Sequence, residues 1–155
     1  MILLRETLMA ASLFACCVTT GPANQDVRKS PIKFELRRAE SKPAEGLTEA
    51  VVEGTNEKVY LHKETAITNK EIAEAQATTD DSNKPAIAIT FTKEGQKKFA
   101  ELSREHQGKP LAIIVDGKVL CAPIVRDEIS GNKAMIIGSF TKEEAEKIAN
   151  GIKAK

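Results

Sequence analysis

The sequence has no tryptophan, one tyrosine and five phenylalanines, so aromatic platforms for sugars and aromatic cages for quaternary amines have few parts to be built from. An excess of charge of one sign is equally missing. Lys and Arg number 23 against 22 Asp and Glu, a net charge of +1, and no stretch interleaves basic and aromatic residues as a nucleic-acid groove requires. Nucleic acid is therefore not an expected partner. No apolar run approaches the roughly 20 residues of a membrane-spanning helix. The two histidines, His62 and His106, and the three cysteines show no zinc-ligand spacing. Asp80-Asp81-Ser82-Asn83 lacks the later Gly and Glu of a calcium loop and reads as a solvated turn. Gly95, Gly108, Gly131 and Gly138 are too dispersed for a phosphate loop. Cys121 sits among Leu120, Ala122 and Ile124, an apolar setting that raises a thiol's pKa and makes it inert. Nothing pairs a nucleophile with a base or gathers carboxylates, so the expectation is a non-enzymatic chain with no cofactor and no metal.

What is present begins with an address. Leu8 to Ala15 is a short apolar run behind Arg5, the pattern of an export signal, and it is too short to span a bilayer. Leu13-Phe14-Ala15-Cys16 resembles the lipobox of bacterial lipoproteins. That resemblance implies a signal peptide over 1–15, lipidation of Cys16 as the sole membrane attachment, and a location on the periplasmic side of the envelope. Val18 to Ser30 carries turn formers without apolar periodicity, so 16–31 reads as a tether and 32–155 as one folded domain.

Within that domain Ile32 to Arg37 alternates apolar and charged residues, predicting an edge or outer strand. Short strands at Ala50–Glu53 and Lys58–His62 flank the Gly54-Thr55-Asn56 turn. Thr68 and Glu71 have capping-box spacing and predict a short helix over Lys70–Ala75. Beyond Pro85 the order is a strand to Phe91, a helix from Lys93 to about His106, a hairpin, a strand at Ala134–Gly138, and a helix opened by a second capping box at Thr141 and Glu144. The hairpin joins Leu111–Val115 to Lys118–Val125 through Asp116-Gly117, the dipeptide of a two-residue type I′ turn. The succession fits an α+β two-layer sandwich, a mainly antiparallel sheet with helices packed on one face.

The ordered residues resemble the head subdomain in the first periplasmic domain of SecD, the membrane subunit that assists bacterial protein export. The match runs through Thr68-Asn69-Lys70-Glu71-Ile72, Phe91-Thr92-Lys93-Glu94-Gly95 with Phe99, and Gly108-Lys109-Pro110 onward to Asp116-Gly117. It continues through Cys121-Ala122-Pro123-Ile124, Ile129, Gly131 and Ile137-Gly138-Ser139-Phe140-Thr141. The resemblance implies a non-enzymatic periplasmic module that contacts translocating or secreted polypeptide. Read with the lipobox, it predicts a head carried by a lipoprotein without the proton-driven membrane part. The alternative is a structural or regulatory lipoprotein that docks on one fixed membrane protein through an exposed sheet edge such as Ile32 to Arg37.

Both faces of the hairpin are apolar. A two-residue turn pairs Ile114 with Val119 and Ala112 with Cys121 on one face, and Ile113 with Leu120 on the other. Adding the slim side of the preceding strand gives a candidate docking surface of Ala86, Ala88, Ala112, Ile114, Val119 and Cys121. The competing expectation is that a helix packs closely there, because small side chains permit it.

Overall fold

The computed structural model of the chain describes residues 31–153; the signal segment 1–15, Cys16 and the tether up to Ser30 lie outside the described residues. The strands are β1 (Phe34–Glu40), β2 (Thr48–Val51), β3 (Lys58–Thr68), β4 (Ile72–Thr79), β5 (Pro85–Phe91), β6 (Leu111–Val115), β7 (Lys118–Cys121) and β8 (Lys133–Ile137). The helices are α1 (Lys93–Glu105) and α2 (Lys142–Lys153). The class is the expected one, an α+β sandwich of antiparallel strands with both helices on one face. The strands divide into a five-stranded sheet, ordered β2-β3-β1-β6-β7, and a three-stranded sheet, ordered β4-β5-β8.

The local signals hold where the chemistry is local. Asp116 and Gly117 take φ of 48° and 83°, the left-handed pair that a type I′ turn demands and that Gly adopts without a Cβ penalty. The turn is also fastened to the start of β1, since Asp116 Oδ1 accepts the Lys33 N–H at 2.9 Å. Thr92 caps α1 by accepting the Gly95 N–H at 3.1 Å. The Thr141 capping box closes on both sides: Glu144 accepts the Thr141 N–H at 2.8 Å, and Thr141 accepts the Glu144 N–H at 3.2 Å.

Three expectations are corrected. The Lys70–Ala75 helix stops after one 3-10 turn at Asn69–Glu71, although its capping box forms as read. Ile72 is already extended, and the segment continues as β4 because pairing with β5 buries Ile72 and Ala75; this tertiary gain overrides the helical propensity of Ala, Glu and Gln. The Ile32–Arg37 strand is not an edge: β1 lies between β3 and β6 at the centre of its sheet. Its charged face is wet only in part: Lys33 is exposed, but Glu35 is 7% exposed, held by Lys33 and Arg37 at 2.9 Å each. Docking through that strand is thereby removed. In the hairpin, Ile114 opposes Val119 as expected, but a bulge then sets Ile113 opposite Cys121 in place of Leu120. Two residues facing one shifts every later side chain by a position.

The alternation of β6 divides the interior into two. Leu111, Ile113 and Val115 join Phe34, Leu36, Ile87, Ile89 and Ile136, with Phe99 of α1 and Ile148 of α2, in the larger core. Ala112 and Ile114 join Ala39, Val52, Val59, Leu61 and Val119 in a smaller one. The smaller core exists because the five-stranded sheet curls until its far edges meet. Val52, just beyond β2, bridges Val119 of β7, and the Glu53 N–H donates to the Val119 carbonyl at 2.8 Å. Alanines at 39 and 112 leave room for that tight curl, as small side chains do inside small barrels.

Candidate functional site

The 3-10 turn is the joint between the sheets, since β3 of the curled sheet runs through it into β4 of the other. Asn69 Oδ1 accepts the Phe34 N–H at 2.8 Å, while its Nδ2 donates to Ile32 O at 2.8 Å and Ile152 O at 3.3 Å. Burial pushes the Glu71 carboxyl up, yet Lys98 Nζ at 2.6 Å and the Thr68 N–H and Oγ1 at 2.8 Å each outweigh it. The carboxyl is held at about 2 against an ordinary 4.5. This network, with the α1 lysine in it, fixes the angle between the sheets and so the space between their edges.

That space is an apolar groove. One wall is the end of β7 and its continuation, Leu120, Cys121, Ala122 and Pro123; the other is Met135, Ile137 and Gly138 of β8 and its exit. Glu53 and Glu57 stand on the rim. Met135 and Ile137 are each 50% exposed, large apolar side chains turned to solvent on either side of the buried Ile136. Their register partners on β5 are Ala88 and Ala86, so the outer face of the three-stranded sheet carries an apolar strip that both helices leave uncovered, their buried side chains lying with Ile87 and Ile89 in the large core. Gly138 lets Phe140 pack over it at the groove's end, since a Cβ there would stand 2.8 Å from Phe140 Cε1.

The six residues of the expected docking surface do not form one face. Ala112, Ile114 and Val119 lie inside the curled sheet, at most 3% exposed, so what covers them is the sheet itself, neither a helix nor a partner. The hairpin bulge turns Cys121 away from Ala112, toward the large core and the groove. Ala86 is fully buried and Ala88 half-buried beneath the strip. Met135 and Ile137 were missed as site residues, although the run Ala134-Met135-Ile136-Ile137 leaves β8 no polar face and so signals an apolar side without a core.

The groups weighed for catalysis have structural work. His106 is 5% exposed and its Nε2 lies 2.9 Å from Ala39 O, with His62 edge-on to its ring at 6.2 Å. Asp80 Oδ1 accepts the Ser82 and Lys84 N–H groups in the β4–β5 turn. Burial pushes the Cys121 thiol up to about 11, which leaves it protonated and unreactive at neutral pH. Among the described residues no three His, Cys, Asp or Glu side chains gather as a metal site, and no helix is long and apolar enough to cross a membrane.

A curled sheet, a second sheet and a groove between their edges define a recognition module of the α+β class. Residues 40–155 match the model of the SecDF P1 head subdomain, and the chain belongs to that family. It is 40% identical over 96 residues to the protein translocase subunit SecD of Magnetococcus marinus, covering 62% of this chain and 18% of that protein. The SecDF translocase subunit of Thermus thermophilus is 45% identical over 83 residues, covering 54% of this chain and 11% of that one. The crystal structure of SecDF in super-membrane-facing form superposes with a TM-score of 0.66 at 29% identity, over 80% of this chain and 19% of that chain. A second SecDF structure, of a membrane component that enhances protein export, gives 0.65 at 27% identity over 80% and 63%. The chain thus spans less than a fifth of the length of these curated relatives. Membership makes it a non-enzymatic module related to the SecD head.

Proposed function

We propose that the module holds translocating or secreted polypeptide in the groove between β7 and β8, tied to the membrane by lipid at Cys16. The observation that carries the reading is the half exposure of Met135 and Ile137 beside the apolar wall Leu120–Pro123. Large apolar side chains turned to water cost free energy that a bound apolar segment recovers, at roughly 25 cal/mol per Å² removed from water. A groove lined by apolar side chains of two strands, with carboxylates only on its rim, suits an apolar stretch of polypeptide. The relatives are subunits of the protein translocase, which supports polypeptide as the ligand. Docking on one fixed membrane partner, the alternative reading, would have to use a sheet edge other than β1, which is interior to its sheet.

Fluorescence anisotropy with a labelled, permanently unfolded polypeptide tests the groove. The double variant Met135→Asp with Ile137→Asp is expected to bind at least tenfold more weakly while its circular dichroism is unchanged. Equal affinity would remove the groove from the function. The anchor is tested separately by mass spectrometry of the mature amino terminus from membranes: a diacylated Cys16 supports it, and an unmodified chain still beginning at Met1 refutes it.

A further inference from the structure

We infer that the polypeptide enters the groove as an added β-strand along β8, reading in register with it, and that Glu57 selects a Lys or Arg at one end of the bound segment. The inference rests on the groove being the polypeptide site and adds how the chain is recognised there. Each wall of the groove is a sheet edge. β8 is paired with β5 on one side only, and β7 is paired with β6, its other side meeting only Val52 through the bridge at Val119. Main-chain N–H and C=O groups along an unpaired edge are a template for another strand. Strand addition draws affinity from main-chain hydrogen bonds, which every polypeptide can supply, and selectivity from pockets that accept alternate side chains.

The alternation is present, since Met135 and Ile137 project on one face of β8 while Ile136 is buried on the other. A segment with an apolar residue at every second position would place those side chains over the strip and against Ala122 and Pro123. The rim supplies the charge. Glu53 is engaged by Lys118 Nζ at 3.1 Å, and Lys58 is drawn to Glu49 at 2.9 Å. Glu57 is therefore the rim carboxylate with no ion-pair partner among the described residues, and the complement of this groove is a cationic side chain. The occupant is thus an unfolded segment, apolar at alternate positions and basic at one end.

Isothermal titration with the whole folded chain uses a peptide of about nine residues, Val or Leu alternating with Ser and ending in Lys. Two N-methylated forms of it lose the hydrogen-bonding N–H groups of one strand edge or of the other, with side chains retained. Methylation of the edge that faces β8 is expected to weaken binding at least tenfold. Retention of affinity within twofold by both methylated forms would overturn strand addition while leaving the groove as the binding site. Failure of the parent peptide to bind at all would overturn the groove reading as well. The Glu57→Lys variant should bind the Lys-ended peptide several-fold more weakly and a Glu-ended one more tightly; unchanged preference refutes the selective role of Glu57. Concentration-dependent dimerisation of the peptide-free chain, abolished by Met135→Asp, would assign the groove to a second copy and contradict the proposal.

Discussion

The concave face of the five-stranded sheet and the outer face of the three-stranded sheet are built from similar strands and meet opposite ends. Ala112 and Ile114 on β6 are covered because the sheet carries its own lid: the chain leaving β2 reaches round to bridge Val119. Met135 and Ile137 on β8, beside the half-buried Ala88 of β5, have no strand or helix to cover them. A stripe of small and apolar residues therefore does not by itself mark a docking face. What decides is whether the topology brings another element across it, and here connectivity seals one face and leaves the other as the wall of a groove.

Substitution by aspartate breaks the comparison most strongly. Ile114→Asp places an unpaired carboxylate in the closed interior and should cost about 4 kcal/mol or more, enough to unfold the domain. Met135→Asp sits at a half-exposed site and should change stability by about 0.5 kcal/mol or less. Urea midpoints of the two variants measure the difference directly, and equal losses would mean that the two faces are not distinct. The joint gives a smaller effect. Asn69→Ala removes three hydrogen bonds that tie β1 and α2 to the turn between the sheets, at an expected cost of about 2 kcal/mol in the same assay. Peptide affinity should fall with it, since the edges lose their fixed spacing.

The smallest effect is a dependence on acid. The folded Glu71 carboxyl lies at about 2, below its ordinary 4.5, because Lys98 and Thr68 outweigh the upward push of burial. A depressed folded value means that the unfolded chain takes up the proton first. The stabilisation from Glu71 is therefore complete above pH 4.5 and drains away as the pH falls toward 2. Glu71→Gln should lower stability by about 1 kcal/mol at neutral pH and flatten the loss on acidification. A variant as acid-sensitive as the parent would show that other carboxylates, Glu35 and Glu40 among them, carry the dependence.

Much of this fold is legible in the sequence wherever a few neighbouring residues decide the outcome. Asp116-Gly117 sets its own turn, Thr92 and Thr141 start their helices, and the ordered series resembles the SecD head whatever the strand pairing. The misreadings share a cause. Nothing within Lys70–Ala75 announces that β5 will return to pair with it, and nothing within Ile32–Arg37 announces that β3 and β6 will flank it on both sides. The hairpin bulge is decided in the same way, by what the sides of Leu120 and Cys121 meet across the large core. The candidate site suffered most, because a groove between two edges belongs to neither strand, and Met135 and Ile137 acquire meaning only beside Leu120 to Pro123.

Chemical-shift mapping with an isotopically labelled chain and an unlabelled apolar, Lys-ended peptide tests the division of faces most directly. The account predicts that shifts concentrate at the amides of 133–138 and 120–122 and at the methyl groups of Met135 and Ile137, while those of Ile114 and Val119 stay in place. Shifts centred on Ile114 and Val119, with β8 unmoved, would contradict it.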